Sequence, residues 1–188
     1  MSDRLRLFVG LDLPVEVRES LAGWCDRVAP EGVRRVPAGN LHVTLAFLGS
    51  RSWPDVDAVA ELLPRLPGDI GTLETGGALW LPPRRPGVLT VALRDSLDLA
   101  TLHASTVAAL SFAIDFEPEA RPFRPHVTVG RVRRGTRVAP SVDPPALAFS
   151  PEALTLYRSH TRAAGTRYEA LARRMLLDSG RNAPHRPS

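Results

Sequence analysis

Two segments of the chain carry the same four-residue pattern, His42-Val43-Thr44-Leu45 and His126-Val127-Thr128-Val129. An imidazole with an unperturbed pKa of about 6.5 holds either protonation state near neutral pH, and a general acid or base of that kind contributes about 10² to 10⁴ in rate. Two imidazoles, each with a hydroxyl two positions further on, supply an acid, a base and two donors for anionic oxygens. That set suits phosphodiester cleavage without a metal. One ring takes a proton from the attacking water, the other protonates the departing ribose oxygen, and Thr44 and Thr128 donate to non-bridging phosphate oxygens. Spacing leaves open which ring is acid and which base. A lone His-x-Thr-x on a strand is commonly a histidine satisfied by a backbone carbonyl; the duplication is what points to a site.

Charge growing on a pentavalent phosphorane calls for a cation. Arg131 lies nearest to the second motif, at an odd offset from His126 that nominally turns it to the other face of the strand, so it needs a twist or bend to reach the site. The matching position after the first motif is Phe47, whose ring either stacks on a nucleobase, worth about 1 to 3 kcal/mol, or packs in the core. His103 sits beside the apolar stripe of a helix and reads as a helix-surface or core residue.

All 24 cationic residues are Arg, with no Lys anywhere, which excludes a lysine nucleophile or Schiff base and leaves a Walker phosphate loop without its lysine. The net charge of +4 suits a phosphate-bearing ligand. The one cysteine, Cys25, excludes an intrachain disulfide and a cysteine-based zinc site. With no carboxylate cluster and no metal-ligand spacing, no metal and no cofactor are expected.

Strands must present these residues. Leu41 to Leu48 and His126 to Val132 are apolar and β-branched, so period-two alternation puts His and Thr on one face and Val43, Leu45, Val127 and Val129 on the other, toward a core. Leu5 to Leu13 and Gly87 to Arg94 also read as strands, each followed by a helical pattern, and Leu7 precedes His42 by nearly the same gap as Leu89 precedes His126. This strand, helix, motif-strand repeat occurs twice, too long for a solenoid unit. It predicts two lobes about a pseudo-two-fold axis, with His42 and His126 on opposite walls of a central groove.

The rest of the chain supports an α+β fold, bilobal, with mostly antiparallel sheets flanked by helices. A helix after Pro14 turns Val17, Leu21, Trp24, Cys25 and Val28 inward, and a short strand spans Val33 to Val36. Ser52-Trp53-Pro54-Asp55 resembles a capping box opening a helix with Val56, Val59 and Leu63 inside, ended by Pro64. Leu73 to Leu81 reads as a strand bulged at Gly76-Gly77. Asp95 or Ser96 caps a helix with Leu99, Leu102, Thr106 and Leu110 inward. Further strands are expected at Phe112 to Phe116, Ala146 to Phe149, Ala153 to Ser159 and Tyr168 to Leu176. Residues 1–178 read as one domain of two intertwined lobes, and 179–188 as a disordered tail. With 188 residues and 44% hydrophobic content a sizeable core can form. No run of about 18 apolar residues and no signal-peptide core is seen, so a cytoplasmic protein with no membrane partner is expected, and with no oligomer signal a monomer is the default.

The two motifs, with Arg4 to Pro14, Asn40 to Gly49, Phe123 to Arg131 and Leu156-Tyr157-Arg158-Ser159, resemble the 2H phosphoesterase superfamily. Within it they resemble the bacterial and archaeal RNA 2′,3′-cyclic phosphodiesterases, once called 2′-5′ RNA ligases. The resemblance runs over about residues 4 to 177. It implies a bilobal fold with a central groove and metal-independent hydrolysis of an RNA 2′,3′-cyclic phosphate end to a 2′-phosphomonoester, with reverse 2′-5′ ligation also open to the same site. By position it implies His42 as proton donor to the leaving 3′ oxygen, His126 as acceptor from water, Thr44 and Thr128 on the phosphate, and Arg131 as the functional arginine. Gly10 and Gly130 are departures, small where bulkier residues would also serve, and neither is expected to bear on the reaction. The rival classes are a non-catalytic RNA-end binding module and a metal-dependent phosphatase.

Overall fold

Apolar alternation and capping chemistry lay out the elements in chain order. A computed structural model describes residues 4–133, 136, 142–162 and 165–176. Strand β1 (Leu5–Asp12) leads into helix α1 (Val15–Val28), then β2 (Val33–Arg35), β3 (His42–Arg51), α2 (Trp53–Leu62), β4 (Leu73–Leu81), β5 (Val88–Leu93) and α3 (Leu97–Ala113). β6 (His126–Val132), β7 (Ala148–Phe149), β8 (Ala153–Arg162) and β9 (Gly165–Met175) complete the chain. The expected tail and its boundary at 178 lie outside the described residues.

Helices α2 and α3 start where their capping chemistry directs. At α2 the Ser52 amide and hydroxyl both donate to Asp55 Oδ2 at 2.9 Å, and Pro54 occupies the first turn, where its missing N–H costs nothing. Helix α3 is capped by Ser96, whose Oγ accepts from the Leu99 amide at 3.3 Å. It buries Leu99, Leu102, Thr106 and Leu110, and the Thr106 hydroxyl donates back to the Leu102 carbonyl at 2.7 Å, so this buried hydroxyl is satisfied. The strand expected at Phe112 to Phe116 does not form. The helix runs to Ala113, Ile114 closes it through its amide to the Leu110 carbonyl, and Phe112 lies off the buried stripe at 95% exposed. An apolar run with no strand beside it has no ladder to join.

The strands form one sheet in the order β7-β4-β5-β6-β3-β1-β8-β9, with β2 also paired to β6, and each pairing is antiparallel. β4 is bulged between Thr75 and Ala78, at the Gly76-Gly77 step. β1 lies beside β3 and β5 beside β6, so the repeated strand and motif strand are neighbours in both halves, and the halves join where Val43 of β3 faces Val127 of β6. Asp12 faces His42 and Ala92 faces His126, with Leu11 opposite Val43 and Val91 opposite Val127. The equivalent residues are therefore Leu11 and Val91, not the Leu7 and Leu89 that near-equal gaps suggest; bulges and unequal connections absorb the difference.

One continuous core draws on both halves and all three helices. Helix α1 reaches across to β6, where the Cys25 thiol donates to the Val129 carbonyl at 3.4 Å, and α3 packs against β3. The helices thus cover the sheet face that carries Val43 and Val127, and the opposite face is left for the polar residues.

Candidate active site

Val43 and Val127 are both 0% exposed, so their flanking residues point to the helix-free face. In an antiparallel pair centred on Val43 and Val127, register places His42 across from Thr128 and Thr44 across from His126. The two histidines then occupy diagonal positions, about 7 to 8 Å apart in a regular ladder, a span that leaves room for one phosphate between them.

Each motif strand carries a one-residue bulge at the last residue of its motif. The β1–β3 register passes from Gly10 opposite Thr44 to Val9 opposite Ala46, and the β5–β6 register from Thr90 opposite Thr128 to Leu89 opposite Gly130. Leu45 and Val129 are the inserted residues. The insertion resets the alternation: Leu45 and Ala46 are buried in succession, as are Val129 and Gly130, and Phe47 and Arg131 swing round to the histidine face. This is the bend that Arg131 needs at its odd offset. Phe47 is 58% exposed on the open face rather than packed in the core.

Both histidines are anchored by the same device. His42 Nδ1–H donates to the Asn40 carbonyl and His126 Nδ1–H to the Arg124 carbonyl, each at 2.7 Å. A carbonyl only accepts, so the proton sits on Nδ1 and Nε2 is left for chemistry. His42 Nε2 accepts from the Thr44 hydroxyl at 3.0 Å. Asn40 is itself held, its Nδ2 donating to the Thr166 carbonyl of β9 at 2.8 Å.

The surroundings of His42 are aromatic. Phe8 stacks on it with centroids 4.7 Å apart, Tyr168 meets it edge-on at 5.1 Å, and Tyr157 stacks on Phe8 at 5.1 Å and lies tilted 6.1 Å from the imidazole. Burial among these rings, with lesser contributions from the Arg131 and His126 charges, pushes the imidazole down to about 4 against the opposing pull of the Asn40 carbonyl and the Asp12 carboxylate. Asp12 is buried but fully occupied. Tyr157 Oη donates to Oδ1 at 2.5 Å, Thr155 Oγ1 to Oδ2 at 3.0 Å, and Arg173 Nε pairs with Oδ2 at 2.9 Å. Burial, then Asp12, pushes the Tyr157 phenol up, so it remains a neutral donor.

Sequence reasoning missed Phe8, Asp12, Tyr157 and Tyr168 as neighbours of His42. One signal was readable: Asp12 is a carboxylate in an apolar strand, in phase with Gly10 and Phe8. The expectation that bulkier residues would also serve at the two glycines is overturned. A Cβ at Gly10 meets the Val43 carbonyl oxygen at 3.0 Å and His42 Cδ2 at 3.3 Å, and one at Gly130 meets Val33 Cγ1 at 2.7 Å. His103 stacks on Phe123 at 3.9 Å.

A His-x-Thr-x on each of two central antiparallel strands, mirrored down to the bulge and the histidine anchor, is the organisation of a two-histidine phosphoesterase. The model of the 2′-5′ RNA ligase superfamily matches residues 14–163, and the chain belongs to that family. The RNA 2′,3′-cyclic phosphodiesterase of Escherichia coli K12 is 35% identical over 184 residues, spanning 92% of this chain and 97% of the relative. The protein of that name from Thermus thermophilus is 31% identical over 179 residues, 89% of this chain and 88% of the relative. The crystal structure of E. coli LigT complexed with 3′-AMP superposes with a TM-score of 0.77 at 31% identity, covering 94% of this chain and 100% of that one. TT0787 of Thermus thermophilus superposes with a TM-score of 0.76 at 26% identity, covering 93% and 99%.

Proposed function

We propose that this protein is a hydrolase that opens RNA 2′,3′-cyclic phosphate ends to 2′-phosphomonoesters, using His42 and His126 and no metal. The relatives named RNA 2′,3′-cyclic phosphodiesterase support the substrate class. The observation that carries the chemistry is the antiparallel pairing of Val43 with Val127, which by regular register sets His42 opposite Thr128 and His126 opposite Thr44.

In this reading water attacks phosphorus as the P–O3′ bond breaks. His126 Nε2 takes the water proton, His42 Nε2 gives a proton to the departing 3′ oxygen, and the 2′-phosphate remains. Thr44, Thr128 and Arg131 hold the non-bridging oxygens, and Phe47 offers a face for a base. Burial keeps His42 neutral at pH 7, so the donor role requires that the substrate bring its proton on: a phosphate anion beside Arg131 offsets one of the charges that lower the ring and adds attraction for the imidazolium. No described helix is long and apolar enough to cross a membrane, and we place the enzyme in the cytoplasm, acting as a monomer.

The test is a defined oligonucleotide ending in a 2′,3′-cyclic phosphate, incubated in excess chelator. The expected product is the 2′-phosphate, with kcat about 10² to 10⁴ lower in His42→Ala and in His126→Ala. Full activity in either variant, a 3′-phosphate product or a metal requirement overturns the reading.

A further inference from the structure

Beyond the motif residues, the Arg34 guanidinium lies on the same sheet face as Arg131, without a carboxylate partner among the described residues. Strand β2 is three residues long and lies along the edge of β6 past the point where β3 leaves it, with Val33 opposite Val132, Arg34 opposite Arg131 and Arg35 opposite Gly130. It is pinned at both ends, by the Val36 amide to the Val129 carbonyl at 2.8 Å and the Arg133 amide to the Gly32 carbonyl at 2.9 Å. Alternation then sorts its side chains. Val33 is buried against the core and Arg35 pairs with Asp26 of α1 at 2.6 Å on the helix side. Arg34 is left on the face of Arg131, and neither has a carboxylate partner among the described residues.

Two like charges directly opposite each other on a sheet are destabilising, and an anion bound to each reverses the sign. Arg34 also borders the β8–β9 hairpin: a Cβ at Gly165, whose φ is +132°, comes within 3.3 Å of Arg34 Nη1. The guanidinium therefore sits between β6 and the hairpin, exposed on the same face of the sheet as Arg131. Arg131 is three positions beyond Thr128 with one spent in the bulge, so the pair stands roughly 7 Å along the strand from the motif threonine. Successive phosphates of a single strand are separated by about that reach.

We propose that Arg34, facing Arg131, binds the backbone phosphodiester next to the terminal cyclic phosphate, so the site prefers an oligonucleotide end over a lone nucleoside cyclic phosphate. The inference rests on the function proposed above. Arg131 turns toward the reacting group, and Arg34 takes the neighbouring phosphate on the chain side.

The experiment compares wild type, Arg34→Ala and Arg34→Lys on a short oligonucleotide with a 2′,3′-cyclic phosphate end and on a nucleoside 2′,3′-cyclic monophosphate. Arg34→Ala is expected to raise KM for the oligonucleotide about tenfold with kcat held within twofold, to leave both constants for the mononucleotide within twofold, and to reduce the slope of log KM against log salt by about 0.7. Arg34→Lys recovers part of the KM. Equal losses on both substrates overturn the assignment by moving Arg34 to the reacting phosphate, and unchanged constants on both overturn it by making Arg34 a solvated charge. A wild type that turns over neither substrate refutes the function itself, an outcome separable from either of these.

Discussion

At His42 the sheltering that positions the ring works against its charge. The native protein keeps this imidazole neutral down to about pH 4, whereas the unfolded chain takes up the proton near 6.5. Between these values the unfolded state binds more protons, so stability falls as the pH is lowered through 6.5 and stops falling below about 4, a loss of about 3 kcal/mol in all. Urea unfolding of His42→Gln between pH 7 and pH 4 should show that much less loss than wild type; parallel losses would remove His42 as the cause. In the NMR titration of wild type the His42 midpoint should rise when inorganic phosphate is added, because the anion offsets Arg131. The types of the motif residues were legible in sequence, since His and Thr declare their chemistry. The shift was not, because Phe8 and Tyr168 reach His42 from β1 and β9, strands with no sequence proximity to the motif.

The motif strands show what periodicity misses. Leu45-Ala46 and Val129-Gly130 read as ordinary apolar steps, yet each pair marks a bulge that turns the next residue to the site. An odd offset counted against Arg131 for that reason. The doubled inward step is the only trace such a bulge leaves in the residues. Gly130 shows how tightly β2 is fitted to it, for an added Cβ falls 2.7 Å from Val33 Cγ1, and valine has little rotamer freedom with which to yield. Gly130→Ala is expected to cost about 1 to 3 kcal/mol in urea unfolding and to lift β2 from β6. It should then reproduce the oligonucleotide KM increase of Arg34→Ala without touching a charged residue. An unchanged midpoint together with an unchanged KM would mean that β2 shifts freely.

The whole molecule is a repeat that does not divide. A duplicated strand, helix and motif strand suggested two lobes, and the sheet order keeps that symmetry about the Val43–Val127 junction. What sequence could not show is the crossing of the helices: α1 of the first half covers β6 of the second, α3 of the second packs on β3 of the first, and Trp24 Nε1 of α1 donates to the Asp143 carbonyl at 3.0 Å. Each half therefore completes its core with an element of the other, which predicts one cooperative transition. In a Trp53→Phe, Trp80→Phe background, fluorescence reports only Trp24 in the first half, while Leu102→Ala truncates a fully buried side chain of α3 in the second. The truncation should lower the Trp24 midpoint by the equivalent of about 2 to 5 kcal/mol, with far-UV circular dichroism moving in step. A Trp24 transition that stays in place while the dichroism splits into two would mean that the halves fold as separate units.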